Sequence, residues 1–243
     1  MFDRFIVMIC VLFFGLVPIK SDASSWCQMQ KPASIKIVPK MAKIGYDYSK
    51  SFTELSNVKL NSNNPYGSDA IAHTFGIANG RFQISHTARL MSITNPNTGQ
   101  TCTWYDTIDV NLHMSPVIMI AKEYKKGGCH FNEVMAHERE HVEVDRQVVN
   151  EYAQKLGVQL LQIVNAKPIT GPFPTAQKDR VRAQMEKRLQ ATVAANNKAM
   201  MADRSQRQAQ IDSKENYDAI SERIHGVCDK RSPMTAKRVR RKL

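Results

Sequence analysis

The sequence predicts an α+β fold: a strand-rich, mostly antiparallel N-terminal half, then a long C-terminal helical hairpin. Three observations predict it. Residues 24–130 alternate apolar and polar positions between dense turn signals. Residues 131–228 carry apolar residues at helical spacing with few helix breakers. Between the two helical stretches lies "NAKPITGPFP", whose three prolines and one glycine end one helix and let the next return beside it.

Taken in order, residues 1–23 are not expected in the mature fold. Arg4 precedes an apolar run from Phe5 to Ile19, and Ser21 and Ala23 supply small residues before a cleavage point, the pattern of a secretory signal peptide. The run is short for a membrane span, which takes about 20 residues, and no later segment is apolar enough, so no transmembrane span is expected after cleavage. A single domain then covers residues 24–228. "SIKIV" alternates as a strand. Ser51 with Glu54 forms a capping box for a short helix. "NSNNPYGSD" reads as turn, "RFQISHTARLMSI" as strand, "NPNTGQ" as turn, "TCTWYDTIDVNL" as strand and "SPVIMIA" as a further short buried run. Asn132 is a plausible N-cap for a helix reaching about Val164, with Val134, Val142, Val149, Tyr152 and Leu156 on its apolar face. The second helix is read as one stretch from about Thr175 to Ile224, with a thin stripe through Val181, Met185, Leu189 and Val193.

Charge and cysteines bound the setting. The formal net charge is +12, and the last fourteen residues, "KRSPMTAKRVRRKL", hold seven Lys and Arg with no acid. This basic tail, residues 229–243, is read as disordered, and an anionic envelope surface is its natural partner. No nucleic acid is expected as partner of an exported chain. Beyond the signal, Cys27, Cys102, Cys129 and Cys228 are an even set, which in an exported protein implies two disulfides with three connectivities. Cys102–Cys129 with Cys27–Cys228 is the pairing we expect. No C-x-x-C pair is present to suggest a cysteine-ligated zinc.

The chemistry lies in "EVMAHEREHVEVD", residues 133–145, where His137, Glu138 and His141 spell H-E-x-x-H. Histidines at i and i+4 share one helix face a turn apart, so both imidazoles can reach one Zn2+. Glu138 is rotated about 100° from His137. It therefore misses the ion but can serve as general base and acid towards a metal-activated water. His137 and His141 are thus the metal ligands and Glu138 the catalytic residue. The competing reading is a charged, solvated helix whose Glu138, Arg139, Glu140, Glu143 and Arg146 make ordinary surface pairs.

"CHFNEVMAHEREHVEVDRQVVNEYAQKL" resembles the core of a bacterial family of predicted secreted zinc-dependent proteases of otherwise unknown function. The resemblance spans about residues 40–226 and includes a distal Tyr-Asp and His-Gly, here Tyr217, Asp218, His225 and Gly226. It implies a zincin-type metallopeptidase.

The third ligand stays open. Asp145 lies about 12 Å along the axis from His137, so it suits orienting His141, or pairing with an arginine, better than ligation. A hairpin turning at residues 165–175 sets His137 and His141 opposite 199–203, near Asp203. His225 is chemically the best donor but lies beyond that register, and His130 precedes the helix. His73, His86 and His113 fall in strand or loop sequence and read as structural.

The expected function is a secreted or periplasmic zinc peptidase acting on peptide or protein substrates. The alternative is a non-enzymatic cell-envelope binding or assembly protein that uses the basic hairpin and tail.

Overall fold

The computed structural model describes residues 26–58 and 75–229. The signal segment, the basic tail beyond Asp229, the "NSNNPYGSD" turn and His73 lie outside the described residues.

The centre of the fold is one long hairpin. Strand β3 (Gly76–Asn95) and strand β4 (Gln100–Ile120) pair antiparallel along their whole length, from Gly76 opposite Ile120 to Asn95 opposite Gln100. The tight connection closes where Gly99, at φ +63, donates its N–H to Asn95 O at 2.9 Å. Positive φ favours glycine at that position.

β3 occupies one edge of β4 completely, so every other strand must use the opposite edge. β5 (Thr170–Pro174), β1 (Ser34–Met41) and β2 (Gly45–Asp47) follow one another there, against residues 100–103, 107–114 and 117–119 of β4. β1 and β2 both run parallel to β4. This overturns the expected antiparallel sheet: the β1-β4-β2 path is parallel, an α/β-type arrangement, with β3 and β5 antiparallel. The period of two reports which side chains face the core, and it is the same for a half-buried strand of either direction. Direction is decided by the path the chain takes between strands, since β5 shares that edge of β4 with β1 and β2 yet runs the other way, and the alternation does not encode that path.

The two runs read as separate strands, "TCTWYDTIDVNL" and "SPVIMIA", are one strand through Pro116. A proline disrupts a central strand because it cannot donate to the ladder. Pro116 is accommodated because it falls in the gap between β1, whose pairing ends at Met114, and β2, whose pairing starts at Val117.

The predicted capping box is present: Ser51 and Glu54 cap helix α1 (Phe52–Ser56) reciprocally. Helix α2 (Cys129–Ala166) starts four residues earlier than expected, with Gly128 rather than Asn132 at the N-cap. The break after it is not plain loop. Its β5 pins the connection to the start of β4, where Gly171 sits at φ +136 and an added Cβ would lie 2.7 Å from Thr101 O. A short 3-10 turn (Thr175–Gln177) leads into helix α3 (Lys178–Ile211). The second helix is not continuous: it breaks at Asp212 and Ser213, restarts as helix α4 (Lys214–Arg223) and ends in a π-helical segment, Ile224–Asp229.

One face of the sheet packs on the hairpin. Ile108, Val110, Leu112 and Met114 of β4 meet Val148, Val149, Tyr152, Leu156 and Leu160 of α2, with Met185, Leu189, Val193 and Met200 of α3 closing the core. A second cluster joins Ile118 and Ile120 to Phe131, Val134, Met135 and Val142 of α2 and to Ile224 and Cys228. It holds the motif-bearing half of α2 against the sheet.

Both expected disulfides are corrected. The bonds are Cys27–Cys102 and Cys129–Cys228. Cys102 stands near the start of β4 and Cys129 beyond its end. At about 3.3 Å per residue the intervening strand spans roughly 60 Å, far more than the 7 Å between Cα atoms that a disulfide tolerates. Among the described residues no helix is long and apolar enough to cross a membrane. Two disulfides are what an oxidising compartment sustains.

Candidate metal centre

α2 turns its motif inward. His137, Glu138 and His141 are 7%, 4% and 7% exposed, which excludes the solvated-face reading for these three. Arg139, Glu140, Glu143 and Arg146 of the same stretch are exposed, and only the Arg146–Glu143 pair, at 2.9 Å, is of the expected surface kind.

The third group is Asp212, which the sequence reading passed over. His137 Nε2 and His141 Nε2 lie 3.5 and 3.0 Å from Asp212 Oδ1, and 3.3 Å from each other. His137, His141 and Asp212 form the metal-capable cluster of the described residues. Asp212 is the C-cap of α3, its N–H bonded to Gln208 O at 3.1 Å, so it stands one turn beyond Gln208 on the face that meets His141. The helix ends there, and the Ser213 hydroxyl accepts the Asn216 N–H and starts α4. The hint in the sequence was that N-capping serine, with Glu215 in the turn after it.

The chemistry of this donor set fits a divalent ion. Two imidazoles and a carboxylate are the usual protein ligands of a catalytic zinc. Bonds of about 2.0–2.1 Å at tetrahedral angles set donor atoms about 3.3 Å apart, and the three separations bracket that value.

Glu138 lies beside the cluster, against the start of β3. A Cβ built on Gly76 would stand 2.7 Å from Glu138 Oε1 and 2.5 Å from Val134 Cγ1, so this close approach needs glycine. Burial pushes the Glu138 carboxyl up to about 7; the charges of His137 and His141 and the Ala78 backbone N–H oppose that rise, and Asp212 adds to it. Burial alone would lower His141, but its hydrogen bond to Asp212 and the charges of Asp212 and Glu138 outweigh it and raise the imidazole to about 9. For Asp212, burial opposes ionisation and is outweighed by hydrogen bonds to both histidines, which hold its carboxyl well below the usual carboxylate range. Without metal, therefore, the cluster is a buried ion pair.

The remaining expectations divide. Asp145 is buried and pairs with Arg204 at 2.6 Å, one of the two roles expected of it. Asp203 does not face the histidines; it pairs with Arg207, which also holds Glu151. The position opposite the motif is nine residues further along, at Asp212, because β5 draws the connection out to the sheet and α3 starts only at Lys178. His130 stacks on Tyr124 and contacts Asp229 at 3.1 Å, away from the cluster. His113 meets Ser115 at 2.9 Å. Tyr217 does come to the site, its ring 5.7 Å from that of His137, whereas Asp218 pairs with Lys214 at 2.8 Å. His225 lies in the π-helical segment.

No family model, curated protein or solved structure matches the chain.

Proposed function

We propose that this protein is a secreted or periplasmic zinc-dependent peptidase, with His137, His141 and Asp212 holding the metal and Glu138 as general base and acid. The observation that carries this reading is the convergence of three donor atoms, separated by 3.0 to 3.5 Å, beside a buried glutamate that feels the charge of all three groups. Bound zinc would supply a Lewis acid for the scissile carbonyl and make the attacking water acidic near neutral pH.

The chain's own residues do the rest. Glu138 accepts the proton of the attacking water and returns it to the leaving amine, the two halves of general base and acid catalysis. Its elevated pKa suits both, since a group near 7 takes and gives a proton with similar ease at neutral pH. Gly76 and the Ala78 N–H keep the carboxylate against β3. The Cys129–Cys228 bond ties the first residue of α2 to the π-helical segment beyond α4, so the chain after Asp212 is anchored back to the motif helix. The test is hydrolysis of a quenched-fluorescence peptide library by the oxidised protein with and without Zn2+. Cleavage that chelator abolishes and zinc restores is the expected result; none by zinc-loaded protein would contradict it.

A further inference from the structure

Behind His141, on the side away from Asp212, lies a chain of hydrogen bonds that the peptidase reading does not use. His141 Nδ1 meets Gln208 Oε1. Gln208 Nε2 lies 3.0 Å from the His141 carbonyl oxygen and 2.7 Å from Asp145 Oδ1. Asp145 in turn receives two bonds from Arg204, Nε to Oδ1 at 2.6 Å and Nη2 to Oδ2 at 3.1 Å. Each polarity in this chain is forced. A carbonyl oxygen and an arginine-bound carboxylate can only accept, so the Gln208 amide must present its NH2 to them. Its oxygen is then left facing His141, and an amide oxygen can only accept. Nδ1 must therefore carry a proton, so when His141 gives one up to a metal it is Nε2, the atom 3.0 Å from Asp212, whose lone pair is freed.

We propose that Gln208, held in orientation by the Asp145–Arg204 pair, is a positioning residue that fixes the tautomer and ring direction of His141 for metal binding. This rests on the metal-centre reading. A purely structural tie between α2 and α3 would need neither polarity nor contact with the imidazole. Arg204 and Asp145 alone would supply it, as Arg207 with Glu151 does two turns away. Outer partners of metal-bound histidines typically change metal affinity by 10- to 100-fold.

The test is Zn2+ affinity by chelator competition, with Co2+ visible spectra alongside, for three variants besides the wild type. Gln208→Met keeps length and packing while removing every hydrogen bond, and should bind about 10- to 100-fold more weakly with an altered Co2+ spectrum. Gln208→Glu sets two carboxylates face to face and should also bind weakly. Leu160→Ala, a core change remote from the motif, controls for general loosening and should leave affinity unchanged. Zinc binding by Gln208→Met within twofold of wild type overturns the role of Gln208. Absence of zinc binding by the wild type overturns the metal reading itself.

Discussion

The two halves of α2 are equally buried and chemically opposite. In its C-terminal half, Val148, Leu156 and Leu160 are at most 1% exposed among apolar neighbours of β4 and α3. In its N-terminal half, His137, Glu138, His141 and Asp145 are as deep as the valines beside them. Burying an apolar side chain stabilises the fold by about 1.5–3 kcal/mol. Burying a charge costs several kcal/mol, which a partner only partly repays. A helix optimised for stability alone would be apolar throughout. The concentration of ionisable groups in one half, each with a placed partner, marks that half as built for something other than stability.

Substitutions in the two halves should therefore fail in different currencies. Asp212→Ala is expected to weaken zinc binding by more than about a hundredfold, beyond the range of outer partners, with the fold retained by circular dichroism. Leu156→Ala should do the reverse, lowering stability in urea by about 2–5 kcal/mol while leaving zinc affinity of the folded protein unchanged. Next in size, Glu138→Gln should keep its zinc and lose peptide hydrolysis by about 10²- to 10⁴-fold in kcat, the worth of a general acid–base.

The disulfides sharpen the same contrast. They close loops of similar length, 75 and 99 residues apart in sequence, so chain entropy alone gives each about 4–5 kcal/mol. Removing Cys27–Cys102 by double Ser substitution should cost stability and spare the metal. Removing Cys129–Cys228 should cost about as much and weaken zinc binding too, because it frees the segment behind Asp212. Equal zinc affinity in both double variants would break the idea of that anchor.

Proton linkage gives a smaller effect of definite sign. Metal needs the unprotonated Nε2 of His141, whose pKa in the metal-free protein is raised to about 9. Below that value zinc must displace a proton, so affinity should rise with pH up to about 9 and then level, at close to tenfold per unit from this group alone. Isothermal titration in buffers of different ionisation heat measures the proton released; a value near zero at pH 7 would contradict the raised pKa. The smallest change expected is from Gly76→Ala, which should lower kcat by shifting Glu138 but leave zinc affinity intact.

What the sequence made legible follows range of interaction. H-E-x-x-H was readable because i to i+4 spacing is local and helix geometry converts it directly into a shared face. The capping box of Ser51 and Glu54, the turn before Gly99 and the chain break near Pro168 were readable for the same reason. The direction of β1 and β2 was not, since alternation is blind to it. Disulfide pairing failed because it depends on the length of a strand that looked like two. Asp212 was missed twice over: the second helix was read through a break that carries no Pro or Gly, and the hairpin register ignored a connection tied to the sheet by β5. Asp203, favoured by that register, is bound to Arg207 instead.

The most direct test of the account is metal content together with X-ray absorption at the zinc edge on the oxidised wild-type protein and Asp212→Ala. The account expects one zinc per chain, ligated by two imidazole nitrogens and a carboxylate oxygen, with the carboxylate contribution and most of the affinity lost in Asp212→Ala. A folded wild type that takes up no zinc, or an Asp212→Ala protein with the same ligands and affinity, would contradict it.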